Sequence, residues 1–293
     1  MINKTYCGFV AIVGRPNVGK STLMNHLIGQ KVSITSRKPQ TTRHKVTGVF
    51  STADAQFIFV DTPGFQKQYL TKLNQALNQS VVNSLNNVDA IIYVVEAGIF
   101  NAGDEEVLNL LPLQANVVLV INKCDQIKNK TELEAFIQQV SAKFNFKQIL
   151  SVAAKHNHGM EDVLLGVRKW LPESVFLYPE DQLTDKSSKF LASEIIREKL
   201  FRYLGDELPY SLMVEIDKFE QNAKLIRVFA TIIVDKENQK PMIIGKGGEK
   251  LKKISIESRL DMEKLFESKV HLEIWVKVKS GFADDLKFLK QFE

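Results

Sequence analysis

The chain has 293 residues, of which 44% are hydrophobic and 25% are charged, and its net charge is +5. That length allows two domains, and the composition is ordinary for a soluble globular protein. No stretch approaches 18 consecutive apolar residues and the N-terminus lacks the apolar core of a signal peptide, so we expect a cytoplasmic protein with no membrane span. The two cysteines, Cys7 and Cys124, are too few for a disulfide framework, and we expect both to be small buried residues.

Apolar runs alternate with helix-length segments through residues 1–173. The runs are rich in Val and Ile and apolar on both faces, which is typical of strands inside a parallel sheet. They cover 8–13, 57–61, 90–95, 117–121 and 149–152. The helical segments cover 20–29, 70–86, 103–111, 131–144 and 159–171. This alternation predicts a doubly wound α/β domain with a mostly parallel sheet.

The first apolar run is followed by GRPNVGKS, Gly14–Ser21, which matches the pattern G-x-x-x-x-G-K-[ST]. Glycines allow backbone N–H groups to turn towards phosphate oxygens, and the helix that begins near Lys20 adds its N-terminal dipole. Lys20 is placed to reach the β- and γ-phosphates, and Ser21 is placed to bind Mg²⁺. The stretch therefore predicts a P-loop that cradles nucleotide phosphates.

The second run is followed by Asp61-Thr62-Pro63-Gly64. Asp61 is expected to hold Mg²⁺ through water, and the N–H group of Gly64 is expected to sense the γ-phosphate. Phe65 stands where many signalling GTPases carry a glutamine that orients water, and phenylalanine cannot polarise water. We therefore expect slow intrinsic hydrolysis, with catalytic help from the backbone, a bound cation or a partner.

Asn122-Lys123-Cys124-Asp125 follows the fourth run and indicates guanine as the base. The Asp125 carboxylate can accept hydrogen bonds from guanine N1–H and from the exocyclic amine. Adenine has an acceptor at N1 and no amine at C2, so such a site rejects it by factors on the order of 10⁴. Asn122 is expected to tie this loop to the P-loop, and the stem of Lys123 is expected to cover the base.

The sequence pattern changes after residue 173. Residues 174–185 contain Pro179 and show little periodicity, so we interpret them as a linker. The elements predicted for a second domain, 186–293, are a helix over 186–204, strands near 212–216 and 226–234, a turn at 245–248, a helix to about 268, a strand at 270–278 and a short helix at 283–291. The order α-β-β-α-α-β matches an α+β type II KH domain.

The stretch MIIGKGGEKLKKI, residues 242–254, contains a G-x-x-G loop at Gly245–Gly248, which we expect between a strand and a helix. Glycine lets the backbone approach a sugar-phosphate chain, and KH domains clamp about four nucleotides in this way. Residues 240–253 carry five lysines and one glutamate, so binding should weaken as salt rises. The predicted RNA contacts are Ile244, Gly245, Lys246, Gly247, Gly248 and Lys250.

In this order and spacing the motifs resemble the translation-factor class of small GTPases. GRPNVGKS, DTPG and NKCD resemble the Era family in particular, VSITSRKPQTTRHKVTG (32–48) resembles its switch I, and FLYPEDQLTD resembles its linker. The resemblance covers essentially the whole chain. It implies a slow GTPase that binds GTP, GDP and Mg²⁺, binds 16S ribosomal RNA near its 3′ end and acts in 30S subunit assembly. It also implies a cytoplasmic monomer with peripheral contact at the inner membrane.

The resemblance further implies roles for single residues. Thr42 corresponds to the switch I threonine that closes on Mg²⁺, with the adjacent Thr41 as an alternative. Ala153-Ala154-Lys155 corresponds to a loop that contacts the base, and Asn17 corresponds to an asparagine that coordinates K⁺ in potassium-activated relatives. The predicted nucleotide contacts are Gly14, Asn17, Val18, Gly19, Lys20, Ser21, Thr22, Asp61, Asn122, Lys123, Asp125, Ala153, Ala154 and Lys155. The predicted catalytic residues are Lys20, Thr42, Asp61 and Gly64, and the predicted Mg²⁺ ligands are Ser21, Thr42 and Asp61.

Two other functions fit parts of the sequence. An RNA chaperone or scaffold could keep a nucleotide pocket only for stability, but intact Lys20, Ser21 and Asp61 argue against a dead pocket. A Der-type ribosome GTPase also ends in a KH-like domain. That family has two GTPase domains in tandem, whereas this chain has one P-loop.

Overall fold

The structure is a computed structural model that describes residues 4–36, 38, 41–65, 72–205 and 212–281. The described residues form two compact units. The first unit runs to Ser33 and resumes over Thr42–Asp185, and the second takes Ile34–Thr41 and the chain from Lys186 onwards. No helix within the described ranges is long and apolar enough to cross a bilayer.

A six-stranded sheet forms the centre of the first unit. The strands are β1 (Tyr6–Val13), β2 (Val46–Ser51), β3 (Ala55–Asp61), β4 (Ala90–Glu96), β5 (Val117–Asn122) and β6 (Gln148–Ser151), in the spatial order β2-β3-β1-β4-β5-β6. The pairs are parallel except for β2–β3. The five predicted strands are confirmed, and the antiparallel edge strand β2 was not predicted.

The helices of this unit follow the predicted segments to within a few residues. They are α1 (Lys20–Ile28), α2 (Lys72–Leu85), α3 (Ala102–Leu108), α4 (Lys130–Ser141) and α5 (Met160–Arg168). One hydrophobic core includes Val81 of α2, Tyr93 of β4 and Phe136 of α4. Because helices follow strands in this way, the loops after β1, β3 and β5 meet at the carboxyl edge of the sheet.

Residues 174–185 differ from a free linker, because they lie along the sheet of the first unit. The N–H group of Val49 on β2 donates to the carbonyl of Leu183 at 2.8 Å, and the Thr184 hydroxyl donates to the carbonyl of Thr47 at 2.6 Å. The side chain of Gln56 accepts hydrogen bonds from two further backbone N–H groups of the segment. These bonds cover the edge of β2, which would otherwise offer unpaired backbone groups.

The second unit contains α6 (Ser188–Tyr203), β7 (Leu212–Gln221), β8 (Ile226–Val234), α7 (Gln239–Ile244), α8 (Glu249–Phe266) and β9 (Val270–Val278). Strand β8 is central, antiparallel to β7 and parallel to β9. Its inward side chains, such as Val228 and Ile232, pack with Leu200 of α6 and Ile254 of α8. The observed order is the predicted α-β-β-α-α-β, although the segments predicted one by one included no helix where α7 lies. The predicted short helix at 283–291 lies outside the described residues.

One expectation for this unit is wrong. The G-x-x-G loop lies between α7 and α8 and not after a strand. The pair Ile243-Ile244 fits a short helix as well as a strand, because a brief apolar run does not distinguish the two. Pro241 lies in the first turn of α7, where its missing N–H group leaves no helical bond unmade. Ile243 is fully buried in the core.

Helix α6 carries four buried charged residues, which are Glu194, Arg197, Glu198 and Lys199. Buried charges need polar partners, and the segment Ile34–Thr41 of the same unit supplies some of them. Glu198 Oε1 accepts hydrogen bonds from the N–H group of Thr35 at 3.0 Å and from its hydroxyl at 3.2 Å. Arg197 Nη2 donates to the carbonyl of Thr41. The second unit is therefore assembled from two separate stretches of chain.

Candidate functional site

At two positions, the P-loop after β1 has a backbone conformation and surroundings that only glycine tolerates. Gly14 has φ 156° and Gly19 has φ 103°. A Cβ atom at Gly14 would lie 2.4 Å from the carbonyl oxygen of Val94, and one at Gly19 would lie 2.3 Å from Asn122 Nδ2. Asn17 also adopts a left-handed conformation, with φ 68°, and is exposed. The loop is thus a concave turn that ends at the N-terminus of α1, where helices bind anions.

Lys20 is 6% exposed and points back into this loop. Its ammonium donates to the carbonyls of Gly14 and Arg15, both at 3.0 Å. Burial lowers the Lys20 pKa to about 8, although the nearby Asp61 carboxylate acts in the opposite direction. A bound phosphate would favour the charged ammonium, so this side chain is suited to an anionic ligand.

Asp61 collects hydroxyl groups from three parts of the chain. Its Oδ2 atom accepts hydrogen bonds from Ser21 Oγ at 2.6 Å, Ser33 Oγ at 2.8 Å and Thr42 Oγ1 at 3.4 Å. The Ser21 and Thr42 hydroxyls lie 3.0 Å apart. Burial raises the Asp61 pKa, and the Lys20 charge and these hydroxyls oppose that rise. The three predicted Mg²⁺ ligands are therefore brought together.

The other carboxylate oxygen, Asp61 Oδ1, is buried and has no hydrogen-bond partner among the described residues. An unpaired buried carboxylate oxygen is unfavourable unless a cation or donor approaches it. The side-chain atoms of this cluster that could bind a metal ion are all oxygens, which is the ligand type that Mg²⁺ prefers. The residues present thus fit a magnesium ion.

Thr41 and Thr42 have different surroundings. The Thr41 hydroxyl donates to the carbonyl of Lys38 at 2.8 Å, and Thr41 belongs to the second unit. Thr42 belongs to the first unit and contacts Asp61. Of the two alternatives that the sequence left open, the geometry favours Thr42 at the Asp61 cluster.

Gly64 lies directly against the P-loop. A Cβ atom there would be 2.8 Å from the backbone nitrogen of Pro16 and 2.9 Å from its Cα. The next residue, Phe65, is 5% exposed and packs in the hydrophobic core of the first unit. The change Phe65→Ala would therefore damage packing as well as report on hydrolysis.

Asn122 joins three loops of the site. Its Nδ2 atom donates to the carbonyl of Val18 at 2.8 Å, and its Oδ1 atom accepts from the N–H group of Ala154 at 3.0 Å. Asp125 is partly exposed, and His156 Nε2 lies 3.5 Å from its Oδ2 atom. Asn122 thus connects the base loop to the P-loop and to the loop that carries Ala153, Ala154 and Lys155.

Several residues of the site were not predicted. Asn25 holds the backbone around Ser33, because its side chain accepts from the N–H group of Ser33 at 2.9 Å and donates to its carbonyl at 2.7 Å. Asn25 is four residues after Ser21 on α1, so helical spacing could have placed it on the same face. Ser33 lies in the stretch 32–48 that resembles switch I, but nothing in that resemblance assigned it a role at Asp61.

The glycine loop of the second unit has an open backbone. Gly245, Gly247 and Gly248 have φ 75°, 60° and 80°. Neither Gly247 nor Gly248 has another described atom within 4 Å of the position a Cβ would take. Lys246 is exposed, and Lys250 Nζ donates to the carbonyl of Met242 at 2.9 Å. The loop ends at the N-terminus of α8, so an approaching phosphate would meet backbone N–H groups and positive charge.

Both units of the chain match known protein families. A family model described as a 50S ribosome-binding GTPase matches residues 9–123, and a KH domain model matches residues 207–281. The chain is 60% identical to the GTPase Era of Chromobacterium violaceum over 98% of this chain and 97% of that protein. The chain belongs to the Era family of GTPases. It is also 51% identical to the GTPase Era of Haemophilus influenzae, over 98% of this chain and 96% of the relative.

Solved Era structures have the same fold. An Aquifex aeolicus Era variant bound to GDP and AlF₄⁻ matches with a TM-score of 0.93 and 36% identity, over 98% of this chain and 99% of that chain. An Era structure in complex with MgGDPNP and nucleotides 1506–1542 of 16S ribosomal RNA matches with a TM-score of 0.92 and 36% identity, over 98% of both chains. The predicted fold class, a P-loop GTPase domain followed by a KH domain, is confirmed, and this Era-family chain is a GTPase.

Proposed function

We propose that this Era-family GTPase binds 16S ribosomal RNA near its 3′ end through the glycine loop of its KH domain, and that bound GTP controls that binding during 30S subunit assembly. The observation that carries the proposal is the open backbone of Gly247 and Gly248 beside exposed Lys246. Likeness over 98% of this chain to an Era crystallised with MgGDPNP and 16S ribosomal RNA nucleotides supports it.

The nucleotide would lie across the loops of the first unit. Residues 14–22 would hold the phosphates, and Asn122, Lys123, Asp125 and residues 153–155 would hold guanine. Ser21, Thr42 and Asp61 would hold Mg²⁺, which neutralises phosphate charge when it is bound. Lys20 and the N–H group of Gly64 would favour the charge that develops on the γ-phosphate during hydrolysis.

The RNA proposal is tested with a short RNA of the 16S ribosomal RNA 3′-end sequence. We expect tighter binding with a non-hydrolysable GTP analogue than with GDP. Gly247→Asp should weaken binding at least tenfold, because it places a carboxylate where phosphate would approach. Fluorescence anisotropy at two salt concentrations measures both effects.

Gly29→Asp is the matched control for this test. Gly29 has a left-handed φ of 81° and no described atom within 4 Å of its Cβ position, like Gly247, and it belongs to the first unit. Equal affinity in both nucleotide states would remove the switch and keep the RNA site. Unchanged binding by Gly247→Asp would remove the glycine loop as the site.

We also propose that K⁺ binds at Asn17 near the β- and γ-phosphates and supplies the positive charge that a partner's arginine otherwise gives. The exposed left-handed Asn17 lies in the middle of the P-loop, so its side chain can reach a bound phosphate group. Hydrolysis in KCl should exceed hydrolysis in NaCl by about tenfold. Asn17→Ala should remove that difference and Asn222→Ala, an exposed asparagine of the second unit, should preserve it. Equal rates of wild type in the two salts would refute the proposal.

The cellular setting is part of the same proposal. It places the chain in the cytoplasm as a monomer, with peripheral contact at the inner face of the inner membrane. The family resemblance supports this placement.

A further inference from the structure

Four charged side chains form a continuous chain beside the nucleotide loops. Arg15 Nε lies 3.0 Å from Asp104 Oδ2, and Arg15 Nη2 lies 3.0 Å from Glu96 Oε2. Lys123 Nζ lies 2.9 Å from the same Glu96 oxygen. We call Asp104, Arg15, Glu96 and Lys123 the charge chain. Its signs alternate, so each positive group has a negative neighbour.

Glu96 occupies its position because of the sheet order. Strand β4 lies between β1 and β5, and Glu96 is its last residue, opposite Asn122 in the pairing register. The P-loop follows β1, and the base loop follows β5. A side chain at the carboxyl end of β4 therefore lies between the two loops that contact opposite ends of a nucleotide.

The Asp104 end of the charge chain is fixed within the protein. The Asp104 side chain is fully buried, and its Oδ2 atom also accepts from the N–H group of Asn101 at 3.0 Å as part of a helix capping box. The Tyr93 hydroxyl donates to the Asp104 carbonyl at 2.7 Å. Arg15 is thus attached to a rigid helix start.

The Lys123 end of the charge chain is held by the ion pair between the Lys123 ammonium and the Glu96 carboxylate. Lys123 has a left-handed backbone, with φ 65°, which is unfavourable for a residue with a long side chain. Its ammonium is tied to Glu96, so the aliphatic stem is held at both ends. The side chains of Arg15 and Glu96 are each 15% exposed, and that of Lys123 is 27% exposed. At that exposure ion pairs are screened less than at an open surface.

We propose that Glu96 is a positioning residue for the bound nucleotide, holding Lys123 against the base and Arg15 in the P-loop through one carboxylate oxygen. The proposal rests on the proposed assignment of guanine to Asn122–Asp125. Without the carboxylate, Arg15 and Lys123 become two neighbouring cations that repel each other. The stem of Lys123 then leaves the base, and both ends of the nucleotide are held less firmly.

The test measures release of N-methylanthraniloyl-GDP from the full chain by stopped flow. Glu96→Gln should accelerate release by about tenfold, because Lys123 loses its carboxylate partner while Arg15 keeps Asp104. The release rate should change more than the hydrolysis rate at saturating GTP, since Glu96 contacts the loops and not the Asp61 cluster. Glu96→Asp, which retains a carboxylate, should restore much of the slow release.

Glu173→Gln is the matched control. Glu173 makes an exposed ion pair with Lys4 at 2.7 Å in the same unit, and this ion pair includes no member of the charge chain. Its variant should release the nucleotide at the wild-type rate. Inosine diphosphate, which lacks the exocyclic amine, gives a second control: Glu96→Gln should weaken GDP and IDP equally, because Asp125 still reads the base.

Each outcome has a definite meaning. Wild-type release by a folded Glu96→Gln variant would overturn the proposal, and so would no rescue by Glu96→Asp. If Glu96→Gln does not fold, Arg15→Gln tests the same chain of contacts, and an unchanged release rate there would overturn it. A wild-type protein that binds ADP as tightly as GDP would instead overturn the guanine assignment on which the proposal rests.

Discussion

Replacing Asp125 with asparagine should move the base preference of this GTPase from guanine to xanthine, with a change in selectivity on the order of 10⁴. A carboxylate accepts hydrogen bonds from guanine N1–H and the exocyclic amine, and an asparagine amide cannot accept both. Xanthine carries a carbonyl oxygen where guanine carries the amine, and the amide NH₂ group can donate to it. The variant should therefore hydrolyse XTP and lose most of its affinity for GTP.

Competition of GDP and XDP against a fluorescent nucleotide measures the change. Asp162→Asn is the control, because it makes the same substitution at an exposed position in the first turn of α5. That control should keep guanine preference. A variant Asp125→Asn that still prefers guanine would show that another group reads the base, and His156 at 3.5 Å from the carboxylate would then be the first residue to change.

Adding one methyl group at Gly64 should slow hydrolysis by about a hundredfold, since a displacement near 1 Å at a reacting centre has effects of that size. A Cβ atom there would lie 2.8 Å and 2.9 Å from backbone atoms of Pro16. Backbone cannot move aside as a flexible side chain can, so the loop after β3 must shift away from the P-loop. The Gly64 N–H group then leaves the γ-phosphate position.

Single-turnover hydrolysis of GTP by Gly64→Ala measures this effect, with GDP affinity as the second readout. GDP binding should change much less, because Gly14, Gly19 and Lys20 are untouched. Gly205→Ala is the control, since its Cβ meets no described atom within 4 Å and its φ lies outside the left-handed region. If Gly64→Ala hydrolyses GTP at the wild-type rate, the close approach of the loop after β3 to the P-loop is not needed for hydrolysis.

The parts of the fold that the sequence predicted are those with a local signal. Strands buried on both faces of a sheet must be apolar throughout, so β1, β4 and β5 were visible as runs of Val and Ile. The P-loop was visible because its glycines are required by backbone geometry within eight residues of chain.

The parts that were not predicted depend on distant partners. Strand β2 contains Gly48 and begins at the end of the stretch that resembles a switch, and its strand character comes from pairing with β3. Residues 174–185 bind the edge of β2 largely through backbone groups, which leave no mark on side-chain chemistry. The charge chain joins residues from four places in the sequence, and no spacing rule connects them.

The second unit consists of two separate stretches of chain, which limits how it can be produced as an isolated fragment. A KH domain cut from this chain at residue 186 would lack Ile34–Thr41, although those residues pack with it as one compact body. Arg197 would lose its bond to the carbonyl of Thr41, and Glu198 would lose its bonds to the backbone and hydroxyl of Thr35. A fragment with sequence-based borders would therefore be an incomplete piece, and its RNA affinity would describe a damaged domain. Grafting the eight missing residues through a short connector would be the way to recover the intact one.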